Sequence, residues 1–216
     1  MSVWDQAERF LVKDKHIGPL VKKYGSCTLK PRKKKDYFED LVDAIVQQQL
    51  SMKAAASIFE RIKEKISTKW DVKKNHKWRK DATKSVQVTP EKILALSEKE
   101  LRRCGLSFAK IKYLEDLASK VKKGEVEIHK MGKLPDEKVM EELIAVKGIG
   151  RWTAEMFLMF SLARPDIFPV DDVGLQNAFK KLVKENMKSD KMEKFAERWK
   201  PYRTIASWYI WRSFEN

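Results

Sequence analysis

One stretch, Val146 to Phe179, limits what the chain can fold into more than any other: VKGIGRWTAEMFLMFSLARPDIFPVDDVGLQNAF. Gly148 and Gly150 bracket Ile149 in a turn where side chains would obstruct close approach, and glycine is the default where backbone takes positive φ or nears a ligand. In front of the turn, Glu137 to Ala145 reads as a helix opened by Pro135 at a first-turn position. Behind it a second helix starts near Arg151, with its free N–H groups pointing back at the turn, which makes a natural phosphate site. Trp152 to Leu162 is apolar nearly all round and predicts burial on most sides. Asp171 and Asp172 then stand at the start of a helix predicted over Val173 to Lys184, whose positive end favours negative charge. Taken by spacing alone, the pair needs no role beyond capping that helix.

The rest of the chain reads as helices, with no strand pattern and no internal repeat. Met1 to Lys15 predicts a helix with Trp4, Phe10 and Leu11 on its apolar side. Tyr24 to Lys35 reads as a loop carrying the basic run Arg32-Lys33-Lys34-Lys35. A helix begins at Asp36, where Asp36 and Glu39 have capping-box spacing, and Phe38, Leu41, Val42, Ile45 and Val46 share a face. The pattern stops at Gln47-Gln48-Gln49, and Ser51 caps a new helix to Ile66. Gln47 to Ser51 is therefore a corner with three amides and Leu50, an ordinary turn if nothing else bears on it. Thr68 to Val88 reads as an irregular basic insertion with Trp70 and Trp78, suited to surface packing or nucleic-acid contact. Thr89-Pro90 starts a short helix, and Ser97 with Glu100 has capping-box spacing. Gly105 closes that segment and Ser107 opens a helix that ends at Gly124. Phe108, Ile111, Leu114, Leu117, Ala118 and Val121 form its predicted buried face. Arg102, Arg103, Lys110 and Lys112 read as solvated charge or phosphate contacts. Met192 to Phe214 carries Phe195, Trp199, Tyr202, Ile205, Trp208, Tyr209 and Trp211 at helical spacing, as a core helix would. The fold class is all-α.

Composition bears on the partner. Lys+Arg 46 against Asp+Glu 31 leaves +15 at pH 7, an excess that suits a polyanion, nucleic acid first, or else a solvated basic surface. Cys27 and Cys104 cannot build a disulfide scaffold and read as reduced thiols. His16, His76 and His129 are scattered, without zinc spacing. The start, MSVWDQAERFLVKDK, is amphipathic and charged, and no signal peptide or membrane span is expected.

The run Leu134-Pro135, then Val146-Lys147-Gly148-Ile149-Gly150-Arg151-Trp152-Thr153-Ala154, then Phe168-Pro169-Val170-Asp171-Asp172 resembles the helix-hairpin-helix superfamily of DNA glycosylases. Within it the match is to the alkylbase, or 3-methyladenine II, branch. Weaker similarity extends from about Asp36 to the C-terminus. The resemblance implies two helical domains flanking a cleft. One is a barrel over 36–161 that includes the helix-hairpin-helix at about 136–161. The other is discontinuous, 1–35 plus 162–216, and carries the catalytic aspartate.

It also implies roles. Cleaving an N-glycosidic bond leaves positive charge at the anomeric carbon, and Asp172 is expected to stabilise it and to orient or activate water. Trp152 and Trp211 are expected to hold the base, with Met156 one turn after Trp152 where a relative has tyrosine. An indole face adds roughly 0.5–2 kcal/mol for a cationic alkylpurine, and core packing is the plainer explanation of both rings. Bifunctional relatives carry a lysine nucleophile where Trp152 stands, so a monofunctional enzyme that uses water, with no lyase step, is expected. Leu50, with Gln49 next, is the expected wedge that fills the stack when a nucleotide is extruded. Gly148, Ile149 and Gly150, with Lys147 and Arg151, are expected on the DNA backbone. Carbonyls of Val146 and Ile149 are expected to hold Na+ or K+. No other cofactor is expected, and no iron–sulfur cluster, because the chain ends Trp211-Arg212-Ser213-Phe214-Glu215-Asn216 without the cluster cysteines of some relatives. The implied function is base excision of alkylated purines of the 3-methyladenine and 7-methylguanine type. The implied partner is double-stranded DNA with damaged bases, bound by a monomer in a prokaryotic cytoplasm or nucleoid or a eukaryotic nucleus. The alternatives are a non-catalytic DNA-binding helix-hairpin-helix protein and a glycosylase for a different damaged base.

Overall fold

A computed structural model describes residues 2–71 and 86–214. In chain order its helices are α1 (Val3–Leu11), α2 (Ile17–Tyr24), α3 (Tyr37–Gln47), α4 (Met52–Asp71), α5 (Pro90–Leu94), α6 (Glu98–Arg103), α7 (Phe108–Lys123), α8 (Asp136–Ile144), α9 (Arg151–Met156), α10 (Val173–Val183), α11 (Ser189–Ala196) and α12 (Arg203–Phe214). No strand occurs among the described residues, in line with the all-α reading. None of the described helices is long and apolar enough to cross a membrane. The chain divides into two units, Arg32–Ala154, and Met1–Pro31 with Glu155–Asn216. Both divisions fall a few residues before the expected 35/36 and 161/162 boundaries. The second moves because the end of the apolar helix is tied to the C-terminal helix: the Phe160 ring meets Trp211 with centroids 5.8 Å apart.

In the unit Arg32–Ala154, the predicted face of α3 is buried in full: Phe38, Leu41, Val42, Ile45 and Val46. It packs on α4 and α7, and α7 packs in turn on α5 and α6. Each fully buried Leu or Ile there contributes about 1.5–3 kcal/mol relative to exposure. The Ser97–Glu100 capping box closes in both directions, with Glu100 N–H donating to Ser97 Oγ and Ser97 N–H donating to the Glu100 carboxylate. Ser107 caps α7, and Gly124 ends it in the left-handed region at φ 76°. Phe108 is a correction: it is 56% exposed. It occupies the first turn of α7, where the Arg102 guanidinium covers its ring at 4.4 Å in place of a core. The Asp36–Glu39 box does not form either. Glu39 instead accepts from the Val88 N–H at 3.2 Å. Helix α4 continues through Thr68 to Asp71, where an irregular segment was expected. Trp78, His76 and the basic residues of the expected insertion between 73 and 80 lie outside the described residues.

The unit Met1–Pro31 with Glu155–Asn216 is built on α12, which packs against α1, α2 and α10. Its core joins Leu11, Ile17, Phe168, Phe179, Trp199 and Tyr209. The rings meet edge to face, Phe179 with Phe195 at 5.3 Å and Phe195 with Trp199 at 5.7 Å, a geometry that adds about 0.5–1.5 kcal/mol per pair beyond area. Helix α1 is shorter than expected: Ser2 and Asp5 cap its start, and beyond Leu11 the Asp14 carboxylate accepts from the His16 and Ile17 N–H groups at 2.8 and 2.9 Å, where α2 begins. Phe10 on it is 43% exposed and meets Tyr202 edge to face, at 5.6 Å.

Candidate active site

The glycine turn joins α8 to α9 as the sequence predicts, with α9 starting at Arg151. Gly148 takes φ 80°, and a Cβ there would lie 2.2 Å from Cδ2 of Tyr113. Glycine is therefore required twice over, by conformation and by the ring packed against it. The Ile149 N–H donates to the Val146 carbonyl at 3.1 Å and closes the turn. Lys147 N–H donates to Asp116 Oδ2 at 2.8 Å. The first bond corrects the expectation that the Ile149 N–H, like those of Gly148 and Gly150, faces a phosphate: a tight turn consumes some of its own donors. The Gly150 carbonyl accepts the first helical bond, from Ala154 N–H at 3.1 Å, so the first amides of α9 come directly after the turn. Lys147 and Arg151 are exposed.

The corner between α3 and α4 belongs to the same unit. Gln49 sits at φ 58°, uncommon for a residue with a side chain. Gln49 and Leu50 are both exposed, Leu50 by 40%. Ser51 caps α4 through Ala54 N–H at 3.3 Å. Lys110 and Arg102, read from sequence as solvated or phosphate-binding, are committed internally. Lys110 Nζ donates to the carbonyls of Val46 at 2.7 Å and Gln48 at 2.6 Å, and Arg102 donates to the Leu106 carbonyl. Gln48 Nε2 donates to the Gly148 carbonyl at 2.8 Å. Sequence reasoning missed Gln48, Lys110 and Tyr113 because their partners lie 35 or more positions away.

Asp172 is the N-cap of α10. Its Oδ1 accepts two N–H bonds, from Leu175 at 2.6 Å and from the Trp211 indole at 3.0 Å. Gly174 completes the arrangement: a Cβ there would lie 3.1 Å from that oxygen and 3.7 Å from Trp211 Nε1. The loop that delivers Asp172 is fastened to the start of α12. Arg203 grips both Asp166 carboxylate oxygens, at 2.8 and 3.0 Å, and Thr204 N–H donates to the Pro165 carbonyl at 3.0 Å. Gln176 Nε2 braces the same loop at the Val170 carbonyl, 2.8 Å. One helix thus anchors the loop at its first turn and reaches the carboxylate from its last. Asp171 is exposed, and Asp172 is half-buried.

Trp152 is the second residue of α9 and is 43% exposed. Met156, one turn later, is half-buried. Burial of the apolar run holds for Thr153, Ala154 and Phe157 to Met159 but not for Trp152 or Phe160. For Phe160 the reason is a change of pitch. Phe157–Ser161 is a π-helical run, closed by Leu162 N–H to the Phe157 carbonyl at 3.1 Å, and the extra residue per turn rotates Phe160 out of the core. Trp211 was expected as a wall of the base pocket. Its ring lies beside Phe160, and its N–H is bonded to Asp172.

Known proteins resemble this chain in sequence and in fold. A profile of the HhH-GPD superfamily base excision DNA repair proteins matches residues 42–203. The chain is 35% identical over 183 residues to DNA-3-methyladenine glycosylase 1 of Schizosaccharomyces pombe, covering 83% of this chain and 73% of that protein. It is 33% identical to the alkylbase DNA glycosidase-like protein mag2 of the same organism, over 98% of this chain and 94% of the other. The solved structure of Schizosaccharomyces pombe 3-methyladenine DNA glycosylase (Mag1) in complex with abasic DNA superposes with a TM-score of 0.75 at 33% identity, over 96% of this chain and 95% of that one. Profile, identity and superposition agree, and the chain belongs to the HhH-GPD superfamily of base excision DNA repair proteins.

Proposed function

We propose that the chain is a monofunctional DNA glycosylase that hydrolyses the N-glycosidic bond of alkylated purines extruded from duplex DNA. The observation that carries this reading is the Asp172 carboxylate, held through one oxygen by Leu175 and Trp211. An anion fixed before the reaction costs no reorganisation when the sugar becomes positive, which is how preformed charges lower such barriers. Asp172 stabilises that cation and orients or activates the attacking water. Trp152 stands where bifunctional relatives have lysine, which supports hydrolysis without a lyase step. Trp152, Met156 and Trp211 take the base, and Leu50, beside Gln49, takes its place in the stack. The amides of Gly148, Gly150 and the first turn of α9, with the side chains of Lys147 and Arg151, hold the backbone. The protein acts as a monomer on damaged double-stranded DNA, in the nucleoid or the nucleus.

A Na+ or K+ at the hairpin belongs to the same proposal. Ile144 to Gly150 line an open hollow, and neutral carbonyls suit a hard cation of low charge. Val146 and Ile149 are its ligands in this reading, the Val146 carbonyl through the lone pair left over from the Ile149 N–H. The ion would add positive charge beside a bound phosphate.

The test is to incubate pure protein with methylated duplex DNA and identify the released bases. Free 3-methyladenine and 7-methylguanine, with no covalent adduct on borohydride treatment, support the reading. Tight duplex binding without any released base favours the non-catalytic alternative. Release of uracil or mismatched adenine instead points to a different substrate, and a trapped adduct removes the water mechanism.

A further inference from the structure

We propose that Gln48 is a strap that makes the wedge corner and the glycine hairpin move as one body, so that gripping the backbone at the hairpin sets the corner for insertion. The inference rests on the roles proposed above for the hairpin and for Leu50.

Three observations converge on the corner. Gln48 Nε2 donates to the Gly148 carbonyl at 2.8 Å, across 100 positions of sequence. Lys110 Nζ donates to the Val46 and Gln48 carbonyls at 2.7 and 2.6 Å. These carbonyls lie at the end of α3, where a helix leaves acceptors unfilled and where positive charge is favoured. Gln49, next in line, holds φ 58°. A residue with a side chain keeps such a conformation only where its surroundings fix it. Here they do: the corner is pinned on one side by a lysine from α7 and on the other by the turn itself. The Gly148 end of the strap is equally fixed, since the Tyr113 ring leaves no room for the turn to yield towards α7. Desolvation pulls the Lys110 pKa below the usual lysine value, as expected of an ammonium held against backbone rather than in water.

The consequence is mechanical. Leu50 is two residues beyond Gln48, and Gly148 is two before Gly150. A force or contact at the hairpin therefore reaches the wedge through one hydrogen bond and a pinned backbone. Two separate loops on flexible connections would instead have to find the DNA independently.

Hydrogen exchange by mass spectrometry tests this on a duplex with a stable abasic analogue, which requires no bond cleavage. In wild-type protein, binding should protect peptides spanning 46–53 and 146–153 together. In Gln48→Leu, the hairpin peptide should keep its protection, while the corner peptide exchanges about fivefold faster, the change expected for losing one ordinary hydrogen bond. Lys110→Met should loosen the corner in the same way and serves if Gln48→Leu fails to fold. Unchanged corner protection in both variants overturns the strap. Single-turnover base release gives the second reading. Gln48→Leu should slow it about fivefold in an otherwise wild-type chain and add little in a Leu50→Ala chain. Fully additive losses overturn the proposal. A Leu50→Ala chain that behaves as wild type would remove the wedge assignment instead, and the exchange data alone would then decide whether Gln48 links corner and hairpin.

Discussion

Replacing Trp211 by Phe separates its two roles. The phenyl ring keeps an aromatic surface beside Phe160, while the N–H that Asp172 receives at 3.0 Å disappears. A hydrogen bond to a charged group contributes about 1.5–3 kcal/mol. Asp172 is only half-buried, and Leu175 N–H still holds the same oxygen at 2.6 Å, so the lower end applies. About 1.4 kcal/mol of lost positioning corresponds to about a tenfold slower chemical step. The assay is single-turnover release of 7-methylguanine, with affinity for an abasic-analogue duplex measured by fluorescence anisotropy. Trp211→Phe should release base about tenfold more slowly and bind the analogue as wild type does. Trp211→Leu should be slower still, having lost the ring as well. A Trp211→Phe chain with a wild-type rate would show that the indole N–H does not position the carboxylate.

Gly174→Ala should separate stability from activity. Alanine favours helix by up to about 1 kcal/mol, yet its Cβ would press on the Asp172 oxygen at 3.1 Å. Chemical denaturation should show equal or greater stability, while base release slows several-fold. Gly148→Ala must accommodate both the positive φ and the Tyr113 ring. Left-handed strain of about 1–2 kcal/mol and overpacking of about 1–3 kcal/mol should together lower the denaturation midpoint and weaken duplex binding. Glu100 supplies a pH test. The Ser97 N–H first, then Lys69 and the Ser97 hydroxyl, lower its pKa to about 2 from the usual 4.5. A carboxyl with a depressed folded pKa stabilises fully above the unfolded value and loses that contribution as pH falls through the folded one. Stability should therefore decline between pH 4.5 and about 2, and Glu100→Gln should flatten that part of the stability–pH curve.

What could be read from sequence was local. Gly148 and Gly150, the Ser97–Glu100 box, Ser107 and Gly124 each announce their geometry within a few residues, because caps and turns are satisfied by near neighbours. Asp172 was legible as the residue before α10 for the same reason. Helix α2 was passed over, since its Gly18 and Pro19 mask a short apolar pattern. Phe108 and Phe10 fit a helical stripe by spacing but stand at its exposed margins, which periodicity cannot resolve. The π-helical run at Phe157–Ser161 is invisible in a stretch that is apolar at nearly every position. The links that position the site were the least legible: Trp211 to Asp172, Gln48 to Gly148, and Lys110 to two carbonyls. Each joins residues far apart in sequence, and backbone carbonyls leave no mark on residue type.

Catalysis as proposed requires Asp172 to do chemistry rather than only cap a helix. Asp172→Asn keeps an oxygen that can accept from Leu175 and Trp211, and it removes the negative charge. Base release from methylated DNA should then fall by about a hundred- to a thousandfold, with abasic-analogue duplex bound at nearly wild-type affinity. A variant that releases alkylated purines at close to the wild-type rate would contradict the central claim and leave Asp172 as a cap alone.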